Sequence, residues 1–431
     1  MAFTDTDPNR RCFLKGCLAG LAATAVKTRP AGADPPGPGL DVRAAAGSAD
    51  WAAVRSQFLL DPGLTYLNTG GLGPSPRPVL DTITREMREL ERSSETGHER
   101  VREVRRRACA LLRCDEDELA ITRSTTEGMN AIARGLPLET GDEVLVSTHE
   151  HPGGAMPWFG VARDRGITVR TFEPGDGGDD TLGRVEAALS QRTRVVSVSH
   201  VMCTTGLVTP VQRIARLCRD RGVFSVIDGA QAVGMIPVDL HALGCDFYAT
   251  SGHKWTLGPK GTGLMYVRRG LLDQWRPTYV GAYSDRKFDL DRGLLETRPA
   301  ARSVEYGTRN TPVILGLGAA IDFLEALGAE PIARHGRRLT AHLRRGLRSL
   351  PGVEILTPES PDRSASILTF RVTGDARTAG QWCNALKTDR RIRVRPVNEH
   401  GLQAVRVSAH VFNTVAQMDR LISALTELMS N

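Results

Sequence analysis

From Leu119 onward the apolar positions along the chain keep changing their period. Short β-rich runs, apolar almost throughout, alternate with stretches where apolar residues recur every three or four positions. "ELAITRS" is followed by the helical pattern "TEGMNAIARGL", and "DEVLVSTHEH" by "AMPWFGVARDRG". Then come "ITVRTF", a helix near 181–190, "TRVVSVSHV", and a helix near 211–221 that Gly222 ends. "VFSVIDG", "CDFYATS" and "TGLMYVRR" complete the series. Such alternation predicts an α/β fold with a mostly parallel sheet covered by helices on both faces. Ligands in such sheets bind beyond the carboxyl ends of the strands. Thr125, His151, Asp228 and Ser251 fall at those ends.

After about residue 311 the pattern changes. Helices are expected near 312–327 and 332–348, then the shorter strands "VEIL", "SILTFRV", "IRVRPV" and "AVRVSA". A last helix starts near 414, with Val415, Met418, Leu421, Ile422, Leu425 and Leu428 on one face. The division predicted is a large domain with its N-terminal segment over 51–310 and a smaller α+β domain over 311–431. No internal repeat is present.

The first residues read as an address. "NRRCFLKGCLAGLAATAV" has paired arginines, a Phe-Leu-Lys, and an apolar stretch too short to span a bilayer. "RPAGAD" follows, with small residues suited to cleavage near Ala33. The pattern resembles a twin-arginine export signal over 1–33, which predicts a periplasmic or extracellular protein; a cytoplasmic protein with a basic tail is the alternative. Residues 34–50, rich in Pro, Gly and Ala, read as a linker.

The net charge of +7 invites a nucleic-acid reading, but Arg10, Arg11, Lys15, Lys27 and Arg29 supply much of it, opposed there only by Asp5 and Asp7. No helix-turn-helix, zinc-finger or RNP-like signature occurs, so no nucleic-acid partner is expected. Neither is a stable membrane span. Of eight cysteines, Cys12 and Cys17 lie in the signal, and the other six lack any disulfide-scaffold spacing.

Three segments carry candidate chemistry. In "ITRSTTEGMNAI", the hydroxyls of Ser124, Thr125 and Thr126 precede a helix start, which suits a phosphate or simply an N-cap. "VFSVIDGAQAVG" puts Asp228 at the end of an apolar run, an expensive place for a carboxylate without a cationic or amide partner, with Gln231 one turn on. "YATSGHKWTLGPKGTGL" sets Lys254 beside Ser251, His253 and Trp255 before a glycine-rich turn. A lysine packed there can have a lowered pKa and act as an amine nucleophile; the bland alternative is a solvated charge.

Taken together, "DGAQAVGMIPVDLHALGCDFYATSGHKWTLGPKGTGLMYVRR" strongly resembles the class V aminotransferases, fold-type I enzymes that use pyridoxal 5′-phosphate (PLP). The resemblance extends from about Tyr66 ("YLNTGGLGPSPRPV") to the final helix. It implies that Lys254 forms an aldimine with PLP and then moves the substrate α-proton. By the same resemblance Asp228 pairs with the pyridinium nitrogen, Gln231 approaches the ring 3′-oxygen, and His151 stacks on the ring. Thr125, Thr126, Ser251 and His253 would line the phosphate. Thr308, in "VEYGTRNTP", resembles the residue that reaches the neighbouring subunit's phosphate, which implies a homodimer with shared sites. Arg406, in "AVRVSAHVFNT", resembles the residue that holds the carboxylate of an amino-acid-like substrate. No metal is expected: His149-x-His151 lacks a third ligand.

Cysteine desulfurases need a mobile cysteine shortly before the Arg-x-Ser segment, and none lies between Arg391 and Arg406. Cys383 falls in an expected helix, and Cys203 stands where desulfurases usually carry Asn. The longer "HKWTLGPKGTG" loop, with "YLNTGGLGP" and "TGLVTPV", looks more like the isopenicillin N epimerase-like branch. The expectation is an epimerase-like or aminotransferase reaction at the α-carbon, with β-elimination as the alternative. The sequence identifies no second acid/base for epimerisation. A regulator would need a DNA-binding domain before this one, and a silent scaffold would be expected to lose Lys254, Asp228 or Arg406.

Overall fold

The computed structural model describes residues 50–430. The expected signal at 1–33, and the expected linker apart from Asp50, lie outside the described residues. Asp50 caps the helix Trp51–Ser56, accepting the Ala52 and Ala53 amides.

Seven strands form the main sheet: β1 (Leu119–Thr122), β2 (Glu143–Ser147), β3 (Thr168–Phe172), β4 (Thr193–Ser199), β5 (Phe224–Asp228), β6 (Phe247–Ser251) and β7 (Gly263–Val267). Their order is β1-β7-β6-β5-β4-β2-β3, and only β7 runs against the rest. Both faces are covered, so successive side chains enter different cores. Tyr248 and Ile227 pack on one face with Ile214, Leu264 and Leu317, while Phe247 and Val226 pack on the other with Met129, Ile132 and Trp158. This is why the inner strands read as largely apolar runs, while the edge strand β3 stays mostly exposed.

The smaller sheet is antiparallel, in the order Val353–Ile355, Ile367–Val372, Ala404–Ser408, Arg395–Val397. Helices Ala329–Arg348, Ala379–Arg390 and Val415–Ser430 cover it, and Leu339, Phe370, Trp382, Val405, Met418 and Leu425 share its core.

Two segments cross the division expected at residue 311. Residues 65–68, grouped with the large domain, run along the small one: Thr65–Tyr66 pairs in parallel with Ile392–Arg393, and Leu67 enters the small domain's core. The helix Thr311–Leu327, grouped with the small domain, packs against Arg77–Ser93 and Val101–Leu112. Its Ile314, Leu317 and Ile321 join the large core, whereas Phe323, Leu324 and Leu327 meet Val54, Phe58 and Phe412. A helix apolar around most of its circumference can serve both cores. A hairpin of Asp285–Asp289 with Leu294–Thr297 also went unanticipated.

Candidate active site

Lys254 follows the end of β6 in a turn fixed from several directions. The Gly252 amide donates to Thr262 O at 2.9 Å and the Gly258 amide to Gly252 O at 2.7 Å. Leu257 takes φ +61°, a conformation that side chains seldom adopt. The Gly73 amide donates to His253 O at 2.8 Å, and a Cβ on Gly73 would lie 1.9 Å from the Lys254 carbonyl oxygen. Only glycine permits that approach. The Trp255 indole is buried and donates to Gln231 Oε1 at 2.7 Å, while Trp255 O and His410 Nε2 lie 2.8 Å apart. So many constraints on one turn place the lysine rather than merely tolerate it.

Around it lies a cavity of about 200 Å³ that brings together most of the residues singled out above. Thr125, Thr126, His151, Asp228, Gln231, Ser251, His253, Lys254 and Arg406 all line it. Thr308 does not; it lines a separate cleft that also touches Thr126. His149 turns away from His151, placing Nδ1 2.7 Å from Thr204 Oγ1 and stacking on His400 with ring centroids 5.3 Å apart.

Each strand end contributes one piece. After β1, Ser124 caps the helix Thr125–Gly135 by accepting the Glu127 amide at 3.1 Å. Thr125 Oγ1 and Ser251 Oγ lie 2.6 Å apart, joining the ends of two elements that are neighbours only in space. His151 caps the helix Pro152–Arg165, its Nδ1 accepting the Gly153 amide at 2.9 Å, which leaves the ring proton on Nε2. At the end of β5, Asp228 Oδ1 accepts the Ala230 amide at 2.9 Å, and a Cβ on Gly154 would come within 2.7 Å of Oδ2. Gln231 Nε2 donates to Gly70 O at 2.9 Å.

Burial pushes the Lys254 amine below its ordinary pKa, and Asp228 opposes the shift. Burial likewise raises the Asp228 carboxyl, against the pull of Lys254 and the Ala230 amide. His151 is pushed down to about 4, by burial first and then by Lys254 and Arg395, so its ring is neutral at pH 7. Beside it Glu150 is buried, accepting Ser147 Oγ at 2.6 Å and the Ser199 amide at 2.7 Å. Burial and then Asp228 push its carboxyl up to about 7.

The facing wall comes from the small domain and the N-terminal segment. Arg406 is 1% exposed, and donates through Nη1 to Cys203 O at 2.8 Å and through Nη2 to Asn68 Oδ1 at 3.0 Å. Its Nε has no partner. Arg395 also lines the cavity, and sequence reasoning missed it. The only signal for it is the alternation in "IRVRPV", which sets Arg393 and Arg395 on one face without saying which strand they oppose. Asn68 and Gly70 were missed as site residues too, because their roles depend on contacts with strands far along the chain.

Residues 66–421 match the family described as Aminotransferase class-V. The chain belongs to this family. It is 35% identical over 396 residues to isopenicillin N epimerase of Streptomyces clavuligerus, covering 88% of this chain and 98% of that protein. It is 30% identical to a probable cysteine desulfurase of Methanothermobacter thermautotrophicus, covering 87% of this chain and 97% of that one. Among solved structures it is similar to a mutant of C-DES with glycine covalently linked to the PLP cofactor. There the TM-score is 0.80 at 28% identity, covering 86% of this chain and 99% of that one. A complex of the cystine C–S lyase C-DES with its product cysteine persulfide gives a TM-score of 0.79 at 27% identity, covering 85% and 98%. The fold is thus the α/β fold-type I architecture.

PLP is the cofactor of this family, and the residues here fit it. His253 Nδ1 is buried without a partner beside the Thr125–Ser251 pair and the amino end of a helix, a donor-rich setting for a phosphate. Asp228 is 4% exposed with no cationic hydrogen-bond partner, as a carboxylate awaiting a protonated ring nitrogen would be.

Proposed function

We propose that the protein is a PLP-dependent enzyme acting at the α-carbon of an amino acid or aminoacyl compound, with an epimerase-like or aminotransferase outcome. The observation that carries this reading is the Lys254 amine, its pKa lowered by burial, in one cavity with Asp228 and Arg406. When bound, PLP supplies an aldehyde for an amine and a ring that accepts the electron pair released at the α-carbon. Lys254 is the base that takes the α-proton and returns it, a role suited to an amine whose neutral form is favoured. Asp228 would hold a proton at the ring nitrogen, and His151, neutral and anchored at Nδ1, would pack against the ring. Gln231, already tied to Trp255 and Gly70, is held for the ring oxygen. Thr125, Thr126, Ser251 and His253 hold the phosphate. Arg406 binds the substrate carboxylate, with its plane set by Cys203 O and Asn68.

The cysteines argue against desulfuration. Cys383 is buried in the helix Ala379–Arg390 and burial pushes its thiol up to about 12; Cys203 is 2% exposed, and burial raises its thiol too. β-Elimination at the same site is the second reading, favoured by the likeness to the C–S lyase. The test is a visible absorption band in purified protein that borohydride abolishes and Lys254→Ala lacks, followed by loss of α-deuterium from candidate amino acids. Pyruvate and ammonia released from a β-substituted amino acid would favour the second reading, and a colourless protein that takes up no PLP would sink both.

A homodimer belongs to this proposal. Thr308 lies outside the protomer's own cavity, and Tyr279, Tyr283, Phe288 and Leu290 are exposed on the same stretch of chain, where a second copy would cover them. Sedimentation of the purified protein tests it. Export by the twin-arginine route is proposed on Arg10, Arg11 and the apolar stretch after them; unchanged export of Arg10→Lys/Arg11→Lys would refute it.

A further inference from the structure

Arg395 and Arg406 are direct partners across two antiparallel strands, so their side chains emerge side by side on one face. Both line the cavity that holds Lys254. Like charges placed opposite one another destabilise a sheet pair unless something anionic lies between or beyond them. Burial and then the charge of Arg395 push the Arg406 guanidinium down to about 10, so the two groups feel each other.

The acceptors among the described residues do not use up these donors. Both hydrogen-bond partners of Arg406 are neutral, and its Nε is orphaned. Arg395 pairs with Glu399 through Nη2, while its Nη1 is buried without a partner. One carboxylate therefore faces two guanidinium groups. If Arg406 takes the α-carboxylate, as proposed above, Arg395 remains as a second cationic side chain lining the same cavity. A buried, charged donor left unpaired is costly, and a ligand oxygen removes that cost.

We propose that Arg395 forms a second anion subsite, and that the substrate is an amino acid or aminoacyl compound with a further acidic group besides its α-carboxylate. This rests on the α-carbon chemistry proposed above and names the class of compound that chemistry serves. Glu399 has a defined part: it holds the Arg395 guanidinium in place and neutralises it while the subsite is empty. A substrate with an uncharged side chain leaves Nη1 unpaired, so discrimination lies between acidic and apolar side chains.

The experiment compares chain-matched carboxylates as ligands of the PLP-loaded protein: succinate with butyrate, glutarate with pentanoate, adipate with hexanoate. Calorimetry gives affinities, and the cofactor band is recorded in the same samples. At least one dicarboxylate should bind roughly tenfold to a hundredfold more tightly than its partner, the range of one charge-assisted hydrogen bond. Arg395→Gln should bring that ratio near one, Arg395→Lys should keep part of it, and Arg406→Gln should weaken both members of each pair. Equal binding of every pair by wild type, which no folding defect can cause, overturns the subsite; so does a ratio that survives in Arg395→Gln. Absence of any cofactor band would instead refute the PLP reading, while the calorimetric ratios would still report on Arg395.

Discussion

At the strand ends, Thr125 and Ser251 satisfy one another, Asp228 accepts an amide from Ala230, and His151 accepts one from Gly153. Across the cavity, Arg406 and Arg395 keep donors that nothing among the described residues accepts. The first wall is anchored to strands buried on both faces, and most of its polar groups are locally tied, His253 Nδ1 excepted. The second stands on the smaller sheet and on residues near Asn68, with charge held open. A wall whose neutral polar groups are mostly paired suits a cofactor that stays; a wall with unpaired charge suits a ligand that comes and goes, because each arrival supplies the missing acceptors and each departure removes them.

The largest expected effect lies between the walls. Lys254→Ala should lower turnover by at least about a thousandfold, since on the proposed mechanism it removes both the covalent anchor and the base. Steady-state rates together with the visible spectrum check this. Arg406→Met should lower kcat/KM by roughly a hundredfold or more while leaving the cofactor band intact, the loss usual for one partner of a buried charge pair. If the band vanished as well, the two walls would not be separable. Asp228→Asn should lower kcat by about tenfold to a thousandfold with little change in KM, because Arg406, as proposed, would still hold the carboxylate. Thr125→Val should weaken PLP binding by about fivefold, one neutral hydrogen bond, and leave the substrate KM unchanged.

Acid should act unevenly on the two walls. His200, His335 and His410 are each pushed down to about 4, with burial the first cause. Between pH 6.5 and 4 the unfolded chain takes up protons that the folded protein refuses, so stability falls on acidification by up to about 1.4 kcal/mol per pH unit for each histidine. Glu150, pushed up to about 7, works the other way between pH 4.5 and 7, because there the folded state keeps the proton. Three groups outweigh one, so the thermal midpoint of the cofactor-free protein should be lower at pH 5 than at pH 7. His335 faces Asn413 O and His410 holds Trp255 O, both on the small-domain side. Hydrogen exchange at pH 5 should therefore rise there before it rises in β4–β6.

The same contrast explains what could be read from the chain. Most strands of the main sheet are largely apolar runs and the edge strand β3 is β-branched and alternating, so local pattern located all seven. Asp228, Ser251 and Lys254 stand at or just past strand ends, where sequence position nearly fixes spatial position. Asn68 and Arg395 have no such local mark. Asn68 matters because its backbone bridges to Ser408 and its side chain meets Arg406; Arg395 matters because of the strand it opposes. Pairing between distant segments is set by tertiary packing, which no window along the sequence contains. The double allegiance of Thr311–Leu327 was illegible for the same reason: its apolar residues are visible, but not which core each one enters.

The parallel pairing of Thr65–Tyr66 with Ile392–Arg393 also has a bearing on how the protein is made. Synthesis proceeds from the N-terminus, so the ribosome releases all seven strands of the main sheet before residue 392 exists. During that interval Tyr66 and Leu67, buried in the finished molecule, lack the strand they pair with and part of the core that covers them. The small domain closes only when the last stretch of chain arrives to meet nearly the first. Arg406 lies in that stretch, so the wall proposed for substrate is the last part of the site to be assembled.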